Sequence, residues 1–322
     1  MRKALGFALV IHGLAHASAG VWATDMAHPL VVTLLWEGAA VGFIVAGGII
    51  LGLVPLERYL KAVSTIAIAC SLVLLLLFAH SVFIPGALID IALAVLLVFR
   101  TQPVAMRRTR GRVSRTLFAV FAVYTAVVIG ARYTTLIWGT TPYERSIPLP
   151  GDPPVDDQHY RIDHAVTIEA PADSVWMWLA QIGQDRAGFY SYDWLERAAG
   201  DDIHNVDSII PEWQQRDAGD LVRAIQPGYL GGILDDKPGW RVKEVVPGRA
   251  IVLEGWGAFV LRPTGENRTR MQIRTRGAGT PKLSMIPVAP VSLLVFEPAH
   301  FIMERGMLLG IKKRAERRQK SA

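Results

Sequence analysis

Unbroken apolar runs fill the first part of the chain, and alternating or helix-periodic patterns replace them further on. Five runs stand out, at residues 4–21, 31–54, 62–78, 84–99 and 117–137. A helix rises about 1.5 Å per residue, so about 20 apolar residues cross the roughly 30 Å hydrocarbon layer of a bilayer. Each run therefore predicts a spanning helix, with the third and fourth on the short side. Residues 62–99 are too long for one span, and His80, Ser81, Pro85 and Gly86 interrupt them, which suits a hairpin between two.

The pattern changes after residue 139. Pro142, Pro148, Pro150, Pro153 and Pro154 punctuate residues 140–159, which read as an extended spacer because proline fixes φ and removes a donor. Near-alternation of Ile162, Ala165, Val166 and Ile168 predicts a strand over 160–169. A helix follows, opened by Pro171 and Asp173, with Val175, Trp176, Leu179 and Ile182 on one face and Gly183 as its stop. A second helix is expected over 192–199. Strands are expected at 220–225, 240–246, 250–254, 258–262 and 268–276. In the last of these, Met271 and Ile273 alternate with Arg270, Gln272 and Arg274, so one face should be wet. A final helix runs from about Pro298 to Arg317, its apolar residues Phe301, Ile302, Met303, Met307, Leu308 and Ile311 needing burial against the sheet.

Composition agrees with this division. The 322 residues are 51% apolar, with a mean hydropathy of +0.30, high for a wholly water-soluble chain. The net charge of +6 would raise nucleic acid as a partner, but Arg100, Arg107, Arg108, Arg110, Arg112 and Arg115 cluster between two apolar runs without interleaved aromatics. They read as a topology signal, and nucleic acid is not an expected partner. Arg2 and Lys3, Arg58 and Lys61, and this arginine cluster all fall on one side of a five-span bundle. The loops at 23–30 and 79–83 carry no Lys or Arg. Positive charge marks the cytoplasmic side, so the carboxy-terminal domain is expected outside the cytoplasm, with Arg132 snorkelling at the far interface. Read instead as a cleaved signal peptide ending near Ala15-His16-Ala17, the first run leaves this location unchanged. Cys70 is the only cysteine and lies in an apolar run, which excludes a disulfide framework and a thiolate zinc site.

Within the apolar half, His12 and His16 share a helix face and Glu37 sits in the next run. The set could serve metal binding or proton relay, but with no third ligand identified the easier reading is interhelical hydrogen bonding. Asp90 is a candidate partner for Glu37 or a histidine. No metal and no cofactor are expected.

The order strand, two helices, several strands, long helix is carried by Ile168-Glu-Ala-Pro-Ala-Asp-Ser-Val-Trp176, Trp178-Leu-Ala-Gln-Ile-Gly183, Gly188-Phe-Tyr-Ser-Tyr-Asp-Trp-Leu-Glu196 and Glu297-Pro-Ala-His-Phe-Ile-Met-Glu304. In these stretches, residues 160–318 resemble the START-like (SRPBCC) superfamily, which includes polyketide cyclases. The resemblance implies an α+β helix-grip domain, in which a curved antiparallel sheet wraps a long carboxy-terminal helix around an apolar cavity. The chain as a whole then reads as an all-α transmembrane bundle (1–139), a proline-rich linker (140–159), this domain (160–318) and a basic tail (319–322).

The expected ligand-binding residues are Trp178, Tyr190, Tyr192, Trp194, Trp256, Met271, His300, Met303 and Met307, whose types suit an adaptable apolar lining. They equally suit a filled core. Asp193, His204, Arg223, His300 and Glu304 are the available acids and bases, but they form no recognisable catalytic constellation, and His300 and Glu304 at i, i+4 fit an exposed helix pair. The expected function is a membrane-anchored module holding an apolar small molecule or lipid at the membrane surface, with membrane lipids as further partners. The alternatives are a cyclase- or aromatase-like enzyme and a closed interaction module. The apolar run 283–296, broken by Pro287 and Pro290, is too short to span and suits an interfacial dip.

Overall fold

The computed structural model describes residues 2–19, 29–77, 84–99, 111–152, 161–232, 238–276 and 289–321. They form two compact units, Met1–Thr135 with Thr280–Pro298, and Leu136–Gly279 with Ala299–Ala322.

The first unit is helical: α1 (Arg2–Ala19), α2 (Pro29–Ile50), α3 (Leu60–Leu77), α4 (Ile84–Leu93) and α5 (Arg112–Leu136). Three of its helices are long and apolar enough to cross a membrane, Leu30–Ile50, Glu57–Leu77 and Arg112–Leu136, whereas Lys3–His16 and Gly86–Leu97 are shorter apolar helices. The third run, expected short, gains length from a 3-10 turn at Glu57–Tyr59 that leads into α3. The fourth slackens into a π turn at Ala94–Phe99. The hairpin residues His80 and Ser81, the loop 23–28 and Arg100, Arg107, Arg108 and Arg110 lie outside the described residues; Arg112 and Arg115 open α5.

Close approach of α1 and α2 depends on glycine. A Cβ on Gly13 would fall 2.6 Å from the Ala40 carbonyl oxygen, and one on Gly47 would fall 2.6 Å from that of Gly6. Leu9, Phe43, Ala46, Ala67, Ile68, Leu93 and Leu97 form the buried seam of the bundle. The short helix α9 (Ala289–Val291) and the π turn Ser292–Phe296 also belong to this unit, where Leu293 and Leu294 are buried and Val295 and Phe296 exposed. Within the run expected to dip into the interface, the two leucines are thus turned into the protein and Val295 and Phe296 are the exposed apolar residues. Residues 283–288 of that run lie outside the described residues.

The second unit holds α6 (Pro142–Ser146), β1 (Arg161–Ile168), α7 (Ala172–Ala180), α8 (Asp193–Ala198), β2 (Leu221–Arg223), β3 (Gly239–Val246), β4 (Ala250–Leu253), β5 (Gly257–Gly265), β6 (Arg268–Arg276) and most of α10 (Glu297–Ser321). The strands make one antiparallel sheet in the order β1-β6-β5-β4-β3-β2. Sheet and carboxy-terminal helix together have a helix-grip shape. Inward residues Ile168, Ile251, Leu253, Phe259, Leu261, Met271 and Ile273 pack with Val175, Leu179, Met307, Leu308 and Ile311 into one core.

The outer face is not wet. Residues 140–152 fold over it instead of forming the expected spacer. Thr141 and Glu144 form a capping box that starts α6, and Leu149 with Ile147 packs on Ala250, Val252, Ala258 and Val260. Glu144 receives Arg270 Nε at 2.6 Å, and Asp152 receives Arg274 at 2.7 Å and Arg276 at 2.8 Å. Arg274, expected in water, is fully buried, donating to Asp163 Oδ1 at 2.7 Å and to the carbonyls of Glu144, Arg145 and Ile147. Its five donors explain why alternation misled: an arginine with this many acceptors is stable out of water. Residues 153–159 of the expected spacer are outside the described residues.

Candidate functional site

A cavity of about 140 Å³ lies on the inner side of the sheet, lined by Phe189, Ser191, Glu196, Ala224, Trp240, Trp256, His300, Met303, Glu304 and Met307. Three local structures build it. Helix α10 supplies His300, Met303, Glu304 and Met307, whose 3- and 4-residue spacings put them on one face. The β4–β5 turn supplies Trp256, which packs at a tilt of 49° on Trp240 of β3, 4.3 Å between ring centres. The loop between α7 and α8 supplies Phe189 and Ser191. Asn205 pins this loop, accepting from the Tyr190 amide at 2.5 Å and donating to the Ser191 carbonyl at 2.8 Å.

Two glycines let the loop reach the helix. A side chain at Gly310 would strike the Tyr190 carbonyl, and one at Gly306 would strike Ser191 and Tyr192. Tyr190 itself adopts φ +58°, a left-handed conformation that a bulky residue holds only when its surroundings enforce it. Its hydroxyl accepts from Gln181 Nε2 at 2.8 Å, its ring carries Arg314 at 4.7 Å, and burial pushes its ionisation above the usual tyrosine range.

The polar end of the cavity is organised by Glu304. This carboxylate is buried and lies among three ring N–H groups: His164 Nδ1 of β1 at 2.7 Å, Trp256 Nε1 at 2.8 Å and His300 Nε2 at 3.0 Å. An ionised carboxylate only accepts, so His164 carries its proton on Nδ1. Burial by itself would push Glu304 up, but the facing His300 and His164 and their hydrogen bonds hold it below the usual carboxylate range. Glu196 of α8 behaves oppositely. Burial, with Asp201 and Asp193 nearby, pushes it up to about 7. Two carboxyls of contrasting acidity therefore line one small cavity.

Of the nine residues expected to line a ligand cavity, Trp256, His300, Met303 and Met307 line this one. Trp178, Tyr190 and Met271 are core residues; Trp178 packs edge-on against Tyr190, and Met271 is sealed beneath the sheet. Tyr192 is partly and Trp194 largely exposed, away from the cavity lining. Among the acids and bases, Asp193 pairs with Arg197, and the exposed His204 pairs with Asp202. Neither these two nor Arg223 lines the cavity. The His300–Glu304 pair, expected on an exposed helix face, is turned inward. Phe189, Trp240, Glu196 and His164 were not singled out by the sequence. His164 sits in an alternating strand whose inward face was legible, but its partner is 140 residues away.

Comparison of the chain with models of known families, with characterised proteins and with solved structures finds no match.

Proposed function

We propose that this protein is a membrane-anchored START-like module that binds a small apolar molecule in the cavity between its sheet and its last helix. The observation that carries the reading is the cavity itself: aromatic and methionine side chains line it together with the His300–Glu304 pair. Binding sites for small molecules have this character, an apolar body with a few convergent polar groups that fix orientation. A volume of about 140 Å³ suits a body the size of one aromatic ring or a short acyl group, not a whole lipid or sterol. Met303 and Met307 are unbranched and adjust to varied shapes.

The three long apolar helices support anchoring, and the Lys and Arg distribution supports a binding domain outside the cytoplasm. Tethering keeps even a weak binder concentrated at the membrane surface.

Glu196 favours a second reading, an enzyme of cyclase or aromatase type. A carboxyl that titrates near 7 beside an apolar cavity is suited to exchange protons with a bound substrate.

The test is native mass spectrometry of the full chain released from mild detergent, with Met303→Trp as the comparison. A small molecule retained by the wild type and absent from the variant, whose indole fills the cavity, is the expected result. A wild-type domain that stays empty through purification and through incubation with a library of single-ring and short-acyl compounds contradicts the proposal.

A further inference from the structure

The helical unit contains a second chemical constellation, unrelated to the cavity in the sheet domain. Helix α1 presents His12 and His16, one turn apart and both buried. Asp90 of α4 and Ser71 of α3 meet them from the other side, both with no exposed surface. Asp90 Oδ1 faces both imidazoles, at 2.7 Å from His12 Nε2 and 3.9 Å from His16 Nε2. Ser71 donates to the other carboxylate oxygen, Oδ2, and its Oγ lies 2.8 Å from His16 Nε2. The Phe43 ring packs against both histidines, with centroids 4.7 and 5.7 Å away. Glu37, the sequence's other candidate, stands against Gly130 of α5.

We propose that His12, His16 and Asp90 bind one divalent transition-metal ion of the zinc class within this helical unit. Their donor atoms lie within 4.8 Å of one another. A tetrahedral ion with bonds of about 2.0–2.1 Å places its ligand atoms about 3.3 Å apart, a value between the two Asp90–histidine separations, and the widest pair of the set must close by at most about 1.5 Å to reach it.

The division of labour matches a coordination site. Oδ1 is turned to the imidazoles, while Ser71 holds Oδ2 and so fixes the carboxylate plane, the usual role of a group just behind a ligand. Two imidazoles at i, i+4 on one helix are a geometry that holds a single ion. Among the described residues no lysine or arginine pairs with Asp90, whose partners are the two imidazoles and Ser71. Two nitrogens and one carboxylate select zinc, cobalt, nickel or iron(II) over calcium and magnesium, which prefer oxygen shells, and over copper(I), which prefers sulfur. Three protein ligands leave a fourth position for water.

The test uses the full chain, free of any affinity tag, in mild detergent after chelation. Cobalt(II) is added and the visible spectrum recorded, then zinc is added in competition, and metal retained after desalting is counted. One cobalt per chain with a strong tetrahedral band, displaced by one zinc, is expected. Asp90→Asn and His12→Ala should each lower retention at least tenfold, and Ser71→Ala should keep the band with weaker affinity. Because the buried variants risk misfolding, the wild-type band and its displacement by zinc are the supporting result. No band and no retained metal at several-fold excess overturns the proposal, as does a band that persists undiminished in both ligand variants.

Discussion

Glu304 shows how a single side chain organises this protein. Its folded-state pKa is held below the usual carboxylate range, so the stabilisation it provides is complete above about pH 4.5 and fades as pH falls through the lower folded value. Glu304→Gln leaves His164, Trp256 and His300 without their charged acceptor and should destabilise the sheet domain by about 3–5 kcal/mol at pH 7. Tryptophan fluorescence during urea unfolding measures this, and a loss under 1 kcal/mol would contradict the arrangement.

Glu196 has the opposite sign. Its folded value, about 7, lies above the ordinary 4.5, so a penalty builds as pH rises from about 4.5 through 7. Glu196→Gln should therefore raise the melting temperature of the domain at pH 8 and leave it unchanged at pH 4. Equal shifts at both values would show that the carboxyl is not held in its neutral form. The sequence displayed the four-residue spacing of His300 and Glu304 but not its direction. Spacing places residues on a face, and only the fold decides whether that face looks inward.

At the scale of elements, much of the sheet domain was readable from periodicity. The strand expected at 268–276 is β6 as found, and those at 250–254 and 258–262 fall on β4 and β5 within a few residues. Residues 140–152 were not readable this way. Their prolines suggested an extended spacer, yet a capping box and three acid–arginine pairings bind the segment over β6. Long-range charge pairing leaves no periodic trace in a sequence. Arg270 holds Glu144 at about 2, against the upward push of burial, so the strap should loosen only as pH falls from about 4.5 toward 2. Arg274→Ala leaves the carbonyls of Glu144, Arg145 and Ile147 without this donor and Asp163 with only Arg161 and Gln272 as partners, and should cost about 3–5 kcal/mol in the same unfolding measurement. A neutral effect would mean that water reaches this face after all.

On the scale of the whole molecule, the described residues form an apolar helical unit and a second unit of helix-grip shape, and Thr280–Pro298, which hydropathy left with the second, belongs to the first. Which runs are longest was less legible, because a 3-10 turn extends the third and a π turn loosens the fourth. The Lys and Arg pattern carries an orientation that protease treatment of intact cells can check: digestion of the carboxy-terminal domain is expected, and protection would reverse the sidedness while leaving the helices in place.

The central claim concerns the cavity. Its most direct test is NMR of the full chain in detergent carrying carbon-13 methyl methionine, titrated with indole, with Met303→Leu and Met307→Leu used to assign the two signals. Saturable shifts of the Met303 and Met307 methyls, with the other methionines unmoved, are predicted. Methyl signals that remain fixed at saturating indole would contradict it.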